Sequence, residues 1–551
     1  MRIAIVGFGP RGLSALERII CHTRQDGPPV ELLIIEPNEL GVGIHKPDLP
    51  DYLQLNTIAA QLTIFSDPQM VPGQPVTPGP SLYQWCVARG QAVRFDDFLP
   101  RSVLGQYLQW AVNELVAGAP PRLTIVHLAT IAKDLQQVAG GAIVTLADGT
   151  QEQVDIAIVT TGHGVAGPLD ADTAELIASP YPLPGNTRKI RPGATVAVLG
   201  AGLTAMDVIA ALTVGRGGSF SGGQYVRSGL EPRIVLTNRS GWLPCARPAT
   251  SNNRRPAPAE YFTAAAIKRL RRSAPDGKLD FCRDVEPLVH REAIHRLGTA
   301  TQEEIDTVEQ VLRPKYEIWQ SHRDYCAAIM RRARFDLQEA ERGLGNSVVK
   351  EALEILRDQR DALREAVDAP GLTEESQLYF MTEYIARVNR VVIGPQKERI
   401  RELIELIDAG IVVPGPGPEP RLVRAEQGWV LHSTHLQRPV HMAVDGVVKA
   451  HLQWPTADPA LDPMATSLAK WVQPGPGGRP RLALDRDGHV ISQDGGRNPT
   501  SVSVFGPPAE GTSYYNHYVP SPGAWSRALT DLDRVIRPAL TADHLVEASS
   551  R

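Results

Sequence analysis

The chain is poor in cysteine, has almost no net charge and contains no long apolar run, and each shortage excludes a class of protein. Only five cysteines are spread over 551 residues, and none forms a C-x-x-C or C-x-x-x-x-C pair. That spacing gives neither a disulfide framework nor a zinc site, and it provides no redox dithiol. The expectation is a reduced, cytoplasmic protein. Lysine and arginine number 57 against 61 aspartates and glutamates, a formal charge of −4. A nucleic-acid binder would carry a basic surface, so no nucleic-acid partner is expected. No segment approaches the ~20 apolar residues of a membrane span. The apolar start Ile3–Val6 is too short for a signal sequence and is cut by Gly7. The 14 histidines do not form His-x-x-x-His with a third ligand, so no metal is expected.

What is present is a pair of glycine fingerprints. Gly7-Phe8-Gly9-Pro10-Arg11-Gly12 follows the apolar run Arg2–Val6 and opens a helical pattern with Leu13, Leu16, Ile19 and Ile20 on one face. Gly200-Ala201-Gly202-Leu203-Thr204-Ala205 follows Thr195–Leu199 and opens the helix Thr204–Val214. Glycines are needed here because the backbone must turn tightly and let a pyrophosphate approach a helix N-terminus, where free N–H groups and the helix dipole favour negative charge. Behind the first loop, the strand Val30–Ile35 ends in Glu36, whose carboxylate can accept both hydroxyls of an adenosine ribose. A carboxylate there disfavours a 2′-phosphate, so the first loop is read as an FAD or NAD site. Behind the second loop the strand Arg233–Thr237 leads into Asn238, Arg239 and Ser240. An arginine with hydroxyl neighbours suits a 2′-phosphate, so Thr237 and Arg239 point to NADPH. Two such loops in one chain have the layout of a flavoprotein that takes hydride from a nicotinamide. The fold class expected is α/β, with two Rossmann-like domains.

After Glu36 come Gly41-Val42-Gly43 and then Tyr52-Leu53-Gln54-Leu55-Asn56. A second glycine pair suits chain wrapping over a flavin. Gln54 and Asn56 are polar in an apolar stretch and could bond the isoalloxazine edge or the substrate. From residue 255 to about 410 the sequence turns rich in Ala, Glu, Arg, Leu and Gln at helical spacing, which reads as a helical insertion with solvated charged faces. The glycine- and serine-rich stretch Gly215–Gly223 reads as a flexible excursion. Strand patterns return at Trp429–His432 and Val440–Val448, and again at Ser501–Phe505, which runs into Gly506-Pro507-Pro508-Ala509-Glu510-Gly511-Thr512. A last helix is expected over Asp531–Leu540.

The two fingerprints, the hinge segment Thr160-Thr161-Gly162-His163 and the late Gly506–Gly511 segment together resemble the FAD/NADPH-dependent N-hydroxylating monooxygenases. The opening Gly-x-Gly-Pro-Arg-Gly-Leu-Ser-x-Leu-Glu-Arg resembles the branch that includes the L-aspartate N-monooxygenases, or nitrosuccinate synthases. The resemblance implies that NADPH reduces FAD and that the reduced flavin activates O₂ for attack by a small amino acid's amine. It implies an FAD domain split into 1–180 and 425–551, an NADPH-binding core at 190–255, and a helical insertion at 256–424 contributing to the substrate site. Gly7, Gly9, Pro10, Arg11, Gly12, Glu36, Gly43, Gln54, Asn56, Gly162, Gly506, Gly511 and Thr512 would then face FAD. Gly200, Gly202, Leu203, Thr204, Thr237 and Arg239 would face NADPH. For a dicarboxylate substrate the resemblance points to Thr63, Arg291 and Arg438, the arginines for bidentate carboxylate binding. Lysine or ornithine as substrate, or another electron acceptor in place of O₂, remain alternatives. The Phe-x-Gly-x-x-x-His stretch of Baeyer–Villiger enzymes is absent between the fingerprints. His163 reads as structural, and Asp207 is given no catalytic role. Because helical insertions often carry subunit contacts, a homodimer is the expected assembly.

Overall fold

The computed structural model describes residues 1–24, 27–163, 176–251, 258–313, 318–451, 463–475, 477, 480–491 and 501–541. Two five-stranded sheets, each wholly parallel, organise the chain. The first runs in the order Val502–Val504, Ile156–Val159, Arg2–Val6, Val30–Ile35, Leu123–Leu128. Its three central strands read as near-continuous apolar runs because both faces are covered. One face packs on the helices Pro10–His22, Arg101–Ala117 and Arg527–Thr541. The other lies against a three-stranded antiparallel sheet, Ala132–Val138, Gly141–Leu146 and Gln151–Val154.

The last helix spans Arg527–Thr541 and docks on the first helix through Leu532, Val535 and Ile536. A buried charge cluster marks that contact. Arg18, fully buried, is paired with Glu17 at 2.6 Å and reaches Asp533 of the last helix at 3.5 Å. His22 Nε2 lies 2.7 Å from the same Asp533 carboxylate.

The second sheet runs Val412–Pro414, Arg233–Thr237, Thr195–Leu199, Gly446–Lys449, Leu176–Ile177. It therefore recruits a strand from before residue 190 and one from after residue 424. The pattern at Val440–Val448 is in fact two strands. His441–Val444 pairs antiparallel with Trp429–His432 in a small three-stranded sheet, and Gly446–Lys449 joins the second parallel sheet. Return to the first sheet comes only with Val502–Val504. The Gly215–Gly223 stretch, expected to be flexible, contributes to an ordered hairpin, Ser219–Ser221 against Gln224–Val226, whose two turn glycines have positive φ. Tyr225 anchors it, its buried hydroxyl donating to Glu231.

Between the strands Arg233–Thr237 and Val412–Pro414 the described residues are mainly helical from Ala264 to Asp408, around an apolar core built on Phe262, Phe281, Val289, Leu353 and Phe380. Two helices of this region, Val348–Asp358 and Arg360–Val367, follow one another across Gln359. Lys397–Asp408 closes the region and packs Leu403 and Leu406 under the second sheet.

Candidate functional site

Parallel sheets place their carboxyl-terminal strand ends along one edge, and ligands of such folds bind there. In the first sheet that edge carries Gly7, Glu36, Thr160 to His163 and Gly506. In the second it carries Gly200, Thr237, Gly415 and Ala450.

The two fingerprint loops are near copies in backbone geometry. Gly7 has φ +82° and Gly200 has φ +124°, a region that favours glycine. Each donates its N–H to the end of the neighbouring strand, Gly7 to Ile35 O at 3.0 Å and Gly200 to Thr237 O at 2.8 Å. A Cβ on Gly7 would fall 2.7 Å from the Cα of Thr161, and one on Gly200 would fall 2.4 Å from the carbonyl oxygen of Ala450. These first glycines are dictated by the fold.

The middle glycines are not. Gly9 and Gly202 each cap a helix, with φ, ψ of −83°, −161° and −82°, −162°. Any residue can adopt that conformation. Among the described residues, a Cβ on Gly202 would meet nothing within 4 Å, and one on Gly9 would only touch the backbone of Gly43, 3.4 Å from its Cα. Neither backbone strain nor packing requires glycine there. The remaining physical reason is space for a ligand lying on the helix N-terminus, which is what a pyrophosphate demands. Pro10 occupies the first helical position and Leu203 and Thr204 open the second helix. The residues present therefore fit a dinucleotide at each loop.

Glu36 is held at the first loop. Its Oε2 accepts the Phe8 N–H at 2.8 Å and its Oε1 accepts from the Asn38 N–H and side-chain amide. The carboxylate is thus fixed at the strand end where an adenosine ribose is expected. Gly41 also ties to this loop, donating to Phe8 O at 2.7 Å, and this brings Gly43 against Gly9. Arg11 donates to Asn516 O at 3.1 Å and lies over the Tyr518 ring, with Gly506 beside its alkyl chain. The late segment does return to the first loop.

Residues 4–164 match the family model described as FAD-NAD(P)-binding. The matched stretch is under a third of the chain, and relatives align far beyond it. Nitrosuccinic acid synthase of Aspergillus oryzae is 29% identical, over 98% of this chain and 93% of its own length. An L-aspartate N-monooxygenase (nitrosuccinate-forming) of Streptomyces davaonensis is 28% identical over 98% of this chain and 97% of its own. The ornithine N-hydroxylase of Kutzneria sp. 744 overlies 98% of the chain with a TM-score of 0.48 at 14% identity.

Other sequence-derived candidates fall unevenly. Gly162, at φ +78° with open space around it, stands on the first sheet's edge. Thr512 is a structural tie, its hydroxyl donating to Leu482 O, and Gly511 turns the chain at φ +95°. Gln54 and Asn56 are half-buried in the stretch between the two sheets. Thr63 is 2% exposed, and its hydroxyl is engaged with Phe65 beside Tyr107, so its polar group is spent inside the first domain. Thr237 is also turned inward. Its hydroxyl is buried without a hydrogen-bond partner, against Gly415, rather than presented to a phosphate. Arg239 is exposed on the turn after that strand and donates to Thr382 O at 2.6 Å.

The two substrate arginines are not brought together. Arg291 is exposed on the helix Glu286–Leu297, 4.0 Å above the Tyr261 ring. Arg438 is exposed in the loop between Trp429–His432 and His441–Val444, which belongs beside the second sheet and does not lead back into the first.

Sequence reasoning passed over an imidazole cluster. His163 and His517 stack with centroids 4.7 Å apart and planes 8° from parallel. His517 Nε2 lies 3.3 Å from Glu510, whose carboxylate accepts the N–H groups of Tyr515 and Asn516. Burial, with His517 alongside, lowers the pKa of His163 to about 4, and burial with Arg11 lowers His517 to about 4. His45, near Arg101 and His163, is pushed down to about 3, again chiefly by burial. At neutral pH the edge therefore presents neutral imidazoles. No spacing motif announces them, because they come from three segments that meet only in the fold.

Proposed function

We propose that the chain is an NADPH- and O₂-dependent FAD monooxygenase that oxidises the amine of a small amino acid, with L-aspartate taken through N-hydroxyaspartate to nitrosuccinate. The observation that carries this reading is a match along 97–98% of the chain to relatives named as nitrosuccinate-forming enzymes. The two open middle glycines support it by giving each dinucleotide a seat. Gly9 with Glu36 would hold FAD, and Gly202 with Arg239 would hold NADPH. Bound FAD, once reduced, supplies the activation of O₂.

The protein's own residues bind, orient and shield. The helix N-termini at Pro10 and Leu203 favour the pyrophosphates. Gln54 and Asn56, half-buried on the Tyr52–Asn56 stretch, would bond the flavin edge or the substrate. With their pKa values lowered, the stacked imidazoles of His163 and His517 would line the site as uncharged hydrogen-bonding groups at neutral pH.

The test is oxygen uptake by the purified, yellow protein with NADPH and a panel of amino acids. Uptake stimulated by L-aspartate with nitrosuccinate as product is the expected result. Stimulation by lysine or ornithine alone would move the substrate, and a protein that binds no flavin would overturn the reading.

A further inference from the structure

Four consecutive carbonyls, Tyr52 to Leu55, are each held by a donor from another element. Arg399 Nη2 takes Tyr52 O, the Arg101 backbone N–H takes Leu53 O at 2.8 Å, Arg101 Nε takes Gln54 O at 3.2 Å, and Gln396 Nε2 takes Leu55 O. Arg399 and Gln396 stand at the start of the helix that packs under the second sheet, whereas Arg101 begins a helix of the first domain. The stretch bearing Gln54 and Asn56 is thus strung between the two nucleotide-binding units.

Arg101 has a second engagement. Its Nη2 lies 2.6 Å from Asp207 Oδ2, and Tyr181 donates to the same oxygen at 2.5 Å. Asp207 is on the helix Leu203–Leu212 that Gly202 caps. Asp207 is buried and Arg101 largely covered, with side chains 6% and 15% exposed. Arg399 also faces Asp207, and His45 is near Arg101. A buried ion pair is weak as a source of stability, since apolar residues of similar volume often do as well. A guanidinium is, however, a rigid planar fork. It cannot follow a displaced Asp207 without turning its Nε away from Gln54 O.

We infer that Asp207 is a positioning residue that, through Arg101, couples occupancy of the second glycine loop to the Tyr52–Asn56 stretch over the first. A nucleotide on the Gly202 helix N-terminus bears on Asp207, Arg101 transmits that to the Gln54 carbonyl, and the affinity of the first site changes with it. Linkage makes this reciprocal. The inference rests on the reading that the loops bind FAD and NADP(H).

The measurement is FAD affinity of the full-length apoprotein, by flavin fluorescence, with and without saturating NADP⁺. The wild type should show a shift of about fivefold or more, the usual size of such couplings. Asp207→Asn, which keeps shape and the Tyr181 contact, should reduce the shift to within about twofold of none while each ligand still binds. Arg101→Lys is the second variant. It retains a cation for Asp207 but lacks the Nε that reaches Gln54 O, and it should lose the shift with melting temperature kept. An unchanged shift in Arg101→Lys would overturn the inference alone. A wild type that binds neither ligand would instead overturn the underlying reading.

Discussion

Replacing Gly202 by alanine isolates the ligand's claim on that position from the fold's. The backbone there, at φ −82° and ψ −162°, is ordinary extended geometry, and the added methyl meets no atom of the described residues within 4 Å. The cost to folding should therefore be confined to a helix-cap effect of about 0.5–1 kcal/mol. The methyl would instead occupy the space over the first turn of the helix. If it displaces one charge-assisted backbone hydrogen bond to a phosphate, the loss is about 1.5–3 kcal/mol, or roughly ten- to hundredfold in NADPH affinity. Gly200→Ala makes the contrast. It adds left-handed strain of about 1–2 kcal/mol and drives a methyl to 2.4 Å from the Ala450 carbonyl, so it should lower the melting temperature as well. Titration calorimetry with NADP⁺ and thermal melts of both variants give the answer. A Gly202→Ala protein that binds NADP⁺ as the wild type does would refute the placement of a pyrophosphate on this loop.

Three further outcomes follow from the same geometry. Glu36→Ala removes the acceptor of the Phe8 and Asn38 N–H groups and the proposed ribose contact, so FAD should bind at least about tenfold more weakly in fluorescence titration. Arg239→Ala should raise the KM for NADPH about tenfold or more and leave that for NADH nearly unchanged; equal effects would remove Arg239 from the phosphate site. Acid should destabilise the fold. The unfolded chain takes up protons on His45, His163 and His517 near pH 6.5, whereas the folded protein resists until about pH 3 to 4. Stability contributed by these neutral rings is present above pH 6.5 and lost as pH falls from there towards 4. His163→Gln and His517→Gln should flatten the melting temperature against pH across that window.

Both loops, their strands and the FAD/NAD(P) chemistry were legible because a fingerprint is local. Its glycines, flanking apolar runs and terminal Glu36 lie within one βαβ unit. Strand membership was less legible. Gly446–Lys449 carries the apolar pattern of any buried parallel strand, and nothing in that pattern says which of two sheets will take it. The hairpin at Gly222 and Gly223 was missed because glycines that make a tight turn look, in sequence, like glycines that make a flexible one. Polar residues were hardest. Asp207, Arg101 and the stacked histidines owe their roles to partners in other segments, His163 and His517 lying 354 residues apart, whereas Thr63 and Thr237, attractive by position, are turned into the interior.

The strand order also sets a timetable for biosynthesis. The first sheet opens with the first residues made, yet its edge strand Val502–Val504 and the helix Arg527–Thr541 that covers it are among the last. The second sheet is complete once Lys449 has been added. On the ribosome the inserted domain can therefore close while the N-terminal sheet still shows the bare edge of Ile156–Val159, an apolar strand that would pair with any passing β-edge. A nascent chain arrested before residue 502 should hold a complete second sheet and a first sheet that still awaits its final strand.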